Sequence, residues 1–210
     1  MNNLKYILTK ESIRFGGRTL YRIKALKDFS DVKAGYLGGY IEKELNLSQG
    51  GNCWVRDNAV VLGNARVRDN VVVRDYAVVR DYAVVLGNAV VRDYAWVRGN
   101  AKVRNYAVVR DNAWVRDNAV ISDNAWVSGN AKVRGNAIAT REVITFMNIY
   151  MLTMTDNHIR YGCIQKTIGE WRLFLDSNEV IETKRDTDKF KAIESTLRKA
   201  ISMWENDKDF

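Results

Sequence analysis

The chain of 210 residues has no proline, one histidine (His158), two cysteines (Cys53 and Cys163), and no hydrophobic run long enough to span a bilayer. All but the lack of proline remove a class of function. A single imidazole excludes the three-histidine metal sites built on some repetitive β folds. Two cysteines far apart in sequence give no metal-ligand spacing, and Cys53 reads as a small buried apolar residue, not half of a disulfide. A transmembrane helix needs about 20 apolar residues in a row, and no membrane partner is expected. The opening "MNNLKYILTKESIRFGG" lacks the apolar stretch of a secretory signal, so the expected location is the cytoplasm. No Ser-His-Asp set and no phosphate-cradling glycine loop appears. Gly35, Gly38 and Gly39 of "GYLGGY" lack the strand-to-helix context of such a loop and read as close-packing glycines. No metal and no cofactor is expected.

What the chain has is charge and a repeat. The formal net charge is +8, which permits an acidic partner without requiring one. From Asn52 to Arg141 the sequence divides into fifteen hexads with no insertion or deletion. The first position is always Asn or Tyr, the second is Ala in thirteen hexads, and the fourth is Val in thirteen. A fixed period of this kind is read before anything else. Six is the wrong period for a helix and suits a short strand followed by a turn. In Ala-x-Val the two apolar side chains point one way and the middle one points the other. The Asp/Gly–Asn pair that follows is turn chemistry, because these residues tolerate positive φ.

One hexad cannot bury its own Ala and Val, but stacked coils can. "NAxVxD/G" resembles the hexapeptide repeat of left-handed parallel β-helices, in which three hexads make one triangular coil. The resemblance implies a mainly β protein: a left-handed parallel β-helix of about five coils, its valines turned inward. At ~4.8 Å per rung such a prism is about 24 Å long. Thirteen buried valines at ~1.5–2 kcal/mol each would be its main stabilising term. Residues 1–51 read as an N-terminal cap, a small α/β or irregular segment with "TLYRIKALKDF" as a strand. Residues 52–141 are the repeat. Residues 142–210 form a C-terminal α+β extension, with one or two strands and a turn at Asp156–Asn157, then "TIGEWRLFL" as a short helix or strand. The extension ends in an amphipathic helix from Thr187 to Glu205, capped by Asp186 or Thr187. Its apolar stripe of Phe190, Ile193, Leu197, Ile201 and Trp204 must bury against the prism or against the same helix of a second subunit.

Three hexads per coil place every eighteenth residue on one ladder, which sorts the outward positions by face. The first face reads Trp54, Val72, Val90, Val108, Trp126, and the second reads Val60, Val78, Trp96, Trp114, Lys132. Four outward tryptophans make an apolar patch that a monomer rarely leaves in water. Either the terminal segments cover it or the chain forms a homo-oligomer, a trimer being favoured over a dimer. The residue after Val is Arg in ten hexads, giving ladders through Arg74, Arg92 and Arg110 and through Arg80, Arg98 and Arg116. Asp follows in eight hexads, so the ladders read as a mutually neutralising edge or as a cradle for an anion.

The leader "LYRIKALKDFSDVKAGYLGGYIEKELNLSQGGNCWV", the unbroken hexads, and "TDNHIRYGC" followed by "TIGEW" resemble uncharacterised β-helix proteins carried by tailed phages and prophages. That resemblance implies action inside an infected bacterium. Many hexapeptide-repeat proteins are acyltransferases with a catalytic histidine and a loop between coils, and this repeat has neither. The free positions therefore read as written for contact, with no catalytic residue expected. The expected function is a non-enzymatic binding protein presenting its Trp and Arg ladders to a bacterial partner, with inhibition of a host defence protein as its use. Two alternatives stay open: a nucleotide or nucleic-acid binder using the Arg ladders, and an acyltransferase using His158 at a subunit interface.

Overall fold

A computed structural model describes residues 4–181 and 183–206. The chain forms two compact units, Met1–Glu142 and Val143–Phe210.

The first unit is a solenoid of parallel stacked coils. Its fifteen hexads give fifteen two-residue strands, from Trp54–Val55 to Ile138–Ala139, shared among three sheets. Each strand pairs in parallel with the one eighteen residues on: Trp54 with Val72, Val60 with Val78, Arg66 with Val84. The second and fourth hexad positions face inward, and residues such as Ala95 and Val97 are wholly buried. The corners explain the sixth position. Asp57, Asp69, Asp75, Asp81, Asp93, Asp111, Asp117 and Asp123 all hold φ between 53° and 65°, a region that L residues other than Asn and Asp seldom enter. These aspartates also join successive coils. Asp69 Oδ2 accepts the Gly87 N–H at 2.8 Å, and Asp93 Oδ2 accepts the Asp111 N–H at 3.1 Å. Beside them runs an asparagine ladder, in which Asn70 accepts from Asn52 and donates to Asn88.

The solenoid has about six turns, one more than the five expected, because residues before the hexads build a coil of their own. Tyr40 pairs with Val60 and Leu47 with Val67, a spacing of twenty residues. The 3-10 helix Glu44–Asn46 takes up the extra length, and Asn46 Nδ2 donates to Gly63 O and Ala65 O in place of a strand. Gly38 and Gly39 are needed here, since a Cβ on either would lie 2.5–2.6 Å from a backbone oxygen of the next coil. Gly35 differs from the expectation: it sits in open space at φ 88° and serves a turn.

The N-terminal segment, expected to be α/β or irregular, has three strands and the short 3-10 helix, with no α-helix among its described residues. Strands β1 (Tyr6–Phe15) and β2 (Arg18–Ala25) form an antiparallel hairpin. Strand β3 (Leu37–Ile41) pairs antiparallel with β2 and parallel with Val60–Val61. The hairpin thereby extends the sheet of the second face to eight strands. Lys5 closes the first coil from within: its buried Nζ donates to Gly51 O at 3.2 Å, Cys53 O at 3.0 Å and Cys53 Sγ at 3.4 Å. Burial lowers the Lys5 pKa and raises that of Cys53.

The second unit is a four-stranded antiparallel meander, Ile144–Met147, Met151–Met154, His158–Tyr161 and Ile164–Thr167, with helices α1 (Ile168–Asp176) and α2 (Asp188–Asn206). Four strands replace the one or two read from the sequence. Helix α1 starts in a reciprocal cap. Thr167 Oγ1 accepts the Glu170 N–H at 3.2 Å, and a Glu170 carboxylate oxygen accepts the Thr167 N–H at 2.6 Å. Helix α2 begins with Thr187 Oγ1 accepting the Phe190 N–H. Its stripe of Phe190, Ile193, Leu197 and Ile201 joins Leu152, Ile159, Tyr161, Trp171 and Phe174 in one core, with Trp204 packed beside it. The stripe is thus buried within its own unit, where the sheet and α1 supply the apolar surface it needs. No described helix is long and apolar enough to cross a membrane.

Candidate functional site

The outward residues of the solenoid divide into a covered part and an open part. Trp54 points away from its coil, yet it is fully buried, 5.3 Å from the Phe29 ring and 6.0 Å from the Tyr6 ring. It leaves the surface patch because the N-terminal segment folds over the first rung. The hairpin does the same on the second face, where Leu20, Ile13 and Phe15 cover Val60 and Val78. Farther along, Val72, Val90 and Val108 are half-buried and Trp126 is 47% exposed. Trp96 and Trp114 stack at 5.6 Å with planes 17° apart, and Phe15 extends the row at 6.4 Å from Trp96.

The Arg ladders are locked to this aromatic surface. Arg80 lies over Trp96, Arg98 over Trp114 and Arg110 over Trp126, each 5.4 Å from the ring centroid. The Nε of each is buried with no hydrogen-bond partner among the described residues, as a guanidinium lying on a π face would be. Such contacts contribute ~0.5–2 kcal/mol each. Arg74 and Arg92 instead approach Asp75 and Asp93 at 3.4 and 3.3 Å, while Arg80, Arg110 and Arg116 stand 3.9 Å from their aspartates. The aspartates are therefore only partly charge partners for Arg; their first task is the corner.

The chain's one imidazole lies in the second unit. His158 is half-buried on the strand His158–Tyr161, opposite Thr167 in the antiparallel register. Its backbone N–H donates to Thr155 Oγ1 at 3.2 Å. Nδ1 is buried with no partner among the described residues. Burial lowers the His158 pKa, with the Glu170 charge opposing in part. Its cap hydrogen bonds with Thr167 hold the Glu170 carboxyl below the usual range. The result is a neutral ring at pH 7, the form that can accept a proton. Among the described residues no group of three or more His, Cys, Asp or Glu is arranged to hold a metal.

Sequence reasoning missed Lys5, the partners that bury Trp54, and the pairing of His158 with Thr167. The first two depend on segments outside the repeat. The "TxxE" at Thr167 was a readable capping signal, and it would have placed α1 immediately after the strand opposite His158.

No known family profile matches the chain. A curated relative, the uncharacterized acetyltransferase YdcK of Escherichia coli K12, is 51% identical over 45 residues, which cover 21% of this chain and 14% of that protein. The matched segment is therefore a small part of the relative's length. It nevertheless overturns the expectation of a non-enzymatic binding protein aimed at a host defence protein. That expectation rested on the lack of a histidine and of a loop within the hexads, and the sequence similarity runs to a protein named for acetyl transfer. The first unit is a β-solenoid of about six turns, and the chain has a partial relative of that name.

Proposed function

We propose that this protein is an acyltransferase of the hexapeptide-repeat kind, moving a short acyl group from a thioester donor to an amine or hydroxyl acceptor. The 51% identity over 45 residues to a protein named an acetyltransferase carries this reading. His158 is the general base. Burial keeps its ring neutral, and no second imidazole is present to compete for the role. The acceptor's lone pair attacks the thioester carbonyl as His158 takes the acceptor's proton. The C–S bond of the tetrahedral intermediate then breaks, and the departing sulfur receives that proton as a thiol.

The same reading includes a homo-oligomer, three-fold before two-fold, joined through the open rows of Trp96, Trp114, Val90, Val108 and Trp126. Exposed Trp beside Arg is the composition of interface centres. The leader Leu20–Val55 and the "TIGEW" segment support a place among phage-carried solenoids, and hence the cytoplasm of an infected bacterium.

The test is thiol release from acetyl and propionyl thioesters against a panel of amine and alcohol acceptors. Saturable, acceptor-dependent release is expected, falling about 100-fold or more in His158→Ala. Release no faster than in buffer, or unaffected by His158→Ala, refutes the assignment. Native mass spectrometry at three times 24.1 kDa would support the trimer, and a monomer mass would remove it.

A further inference from the structure

The three outward faces of the solenoid differ in how their cations are satisfied. On the first face Arg56 reaches Asp31, while Arg74 and Arg92 meet the aspartates beside them. On the second, Arg80 and Arg98 lie over Trp96 and Trp114. The third face runs from Arg66–Val67 to Ile138–Ala139 and carries Arg66, Arg68, Lys102 and Arg104. All four are exposed. Among the described residues none of them forms a salt bridge or a side-chain hydrogen bond. The usual carboxylate is missing or engaged. Arg104 is followed by Asn105 instead of aspartate, and Asn105 donates to Asp123 at 2.8 Å. Asp69, beside Arg68, accepts the Gly87 N–H.

The placement of these cations is regular. Arg66 and Lys102 pair with Val84 from opposite sides, so they stand two rungs apart, about 9.6 Å. Arg68 and Arg104 flank Leu86 in the same way, two residues farther along each strand, a step of about 6.6 Å. The four cations frame a strip of Val84 and Leu86, both half-buried. Tyr82 opens that strip at one corner of the face, and Tyr106 follows Arg104 at the other. Each tyrosine is 63% exposed, and neither meets another ring among the described residues. Tyr76 and Tyr94, by contrast, stack on each other at 5.2 Å.

We infer that the third face binds single-stranded DNA, one extended strand lying along Tyr82, Val84 and Leu86. One phosphate is held between Arg66 and Lys102, and the next between Arg68 and Arg104. The step of about 6.6 Å between the two pairs suits an extended backbone with the C2′-endo pucker of deoxyribose. The apolar floor suits a sugar without a 2′-hydroxyl, which on ribose would lie against Val84 and Leu86 without a partner. Tyr82 and Tyr106 offer free ring faces on which the flanking bases stack. In a duplex those bases are stacked and paired out of reach. An acidic peptide would use the cations and leave the tyrosines idle. The face lies outside the proposed subunit contact and takes no part in acyl transfer, so either reading can fail alone.

The test is the anisotropy of fluorescein-labelled decathymidylate titrated with the full chain over a salt series. Saturable binding is expected, with log K falling against log salt at a slope of about −1.4, the value for two phosphates on a single strand. Arg68→Gln with Arg104→Gln should weaken binding about tenfold and bring the slope to about −0.7. Tyr82→Ala should weaken it about fivefold or more with the slope unchanged. Lys191→Gln with Lys199→Gln removes the same charge from α2 and should change nothing. The substituted side chains are all exposed, so each variant is expected to fold. No saturable binding overturns the inference, as does equal weakening by the α2 pair or unchanged affinity in Tyr82→Ala. Tighter binding of decauridylate RNA or of a duplex overturns it as well, and so does displacement by poly-glutamate as readily as by unlabelled decathymidylate.

Discussion

The solenoid and the C-terminal unit bury apolar surface by opposite means. In the solenoid one small solution is copied: Ala and Val inside, Asp or Gly at the corner, and the same bond from each coil to the next. In the C-terminal unit nothing is copied. Trp171, Phe174 and Phe190 meet edge to face at individual angles, and each side chain has its own neighbours. Repetition spends every inward position on packing and every corner on turning, so only outward positions are free. The aperiodic unit has no such rule, and it holds the imidazole with its buried Nδ1.

The largest effect is expected from Val97→Asp. A carboxylate in the solenoid interior costs more than the ~5–15 kcal/mol that holds a domain together unless it is neutralised. Hydrogen exchange should show lost protection through the coils while residues 143–206 keep theirs. Loss of protection in both units at once would break the comparison. Leu197→Ala should act in the reverse sense, lowering the stability of the C-terminal unit by ~2–5 kcal/mol, read as a shift in its own denaturant midpoint. Asp93→Ala should cost ~1–3 kcal/mol, through positive φ and the lost acceptor for the Asp111 N–H. Asp93→Gly should recover the φ part only. Thr167→Ala should remove ~1 kcal/mol from α1 by deleting its cap.

The smallest effect is a pH slope. The folded state lowers the His158 pKa, so the unfolded chain binds the proton more readily. The stability this preserves is complete above the unfolded pKa near 6.5 and is lost progressively as pH falls from there through the lower folded pKa. Denaturant midpoints at pH 7.5 and 5.5 should therefore differ in wild type by more than in His158→Gln. Equal differences would show that other groups set the slope.

Most of the solenoid was legible because its information is redundant. Fifteen copies outvote Cys53 and Val71, and the eighteen-residue ladder follows from period alone. The first coil was not legible, since Tyr40 to Leu47 carries no hexad and joins with a twenty-residue spacing. The burial of Trp54 was hidden for a related reason: its cover, Tyr6 and Phe29, comes from chain that no period links to it. In the C-terminal unit α1 spans nine residues, too short for periodicity to separate helix from strand.

Within the hexads the constant step of eighteen residues between stacked partners makes the solenoid behave as a screw thread. Removing one whole coil would shorten the thread and leave every later residue facing as before. Removing a single hexad would keep the interior intact, with Val still over Val, yet would turn everything downstream by a third of a revolution. Trp114 would then stand above Val90 on the neighbouring face, and the tryptophan row would be cut while the fold survived. Insertions and deletions in such a protein are therefore rotations, and the surface can be rearranged without changing one side chain.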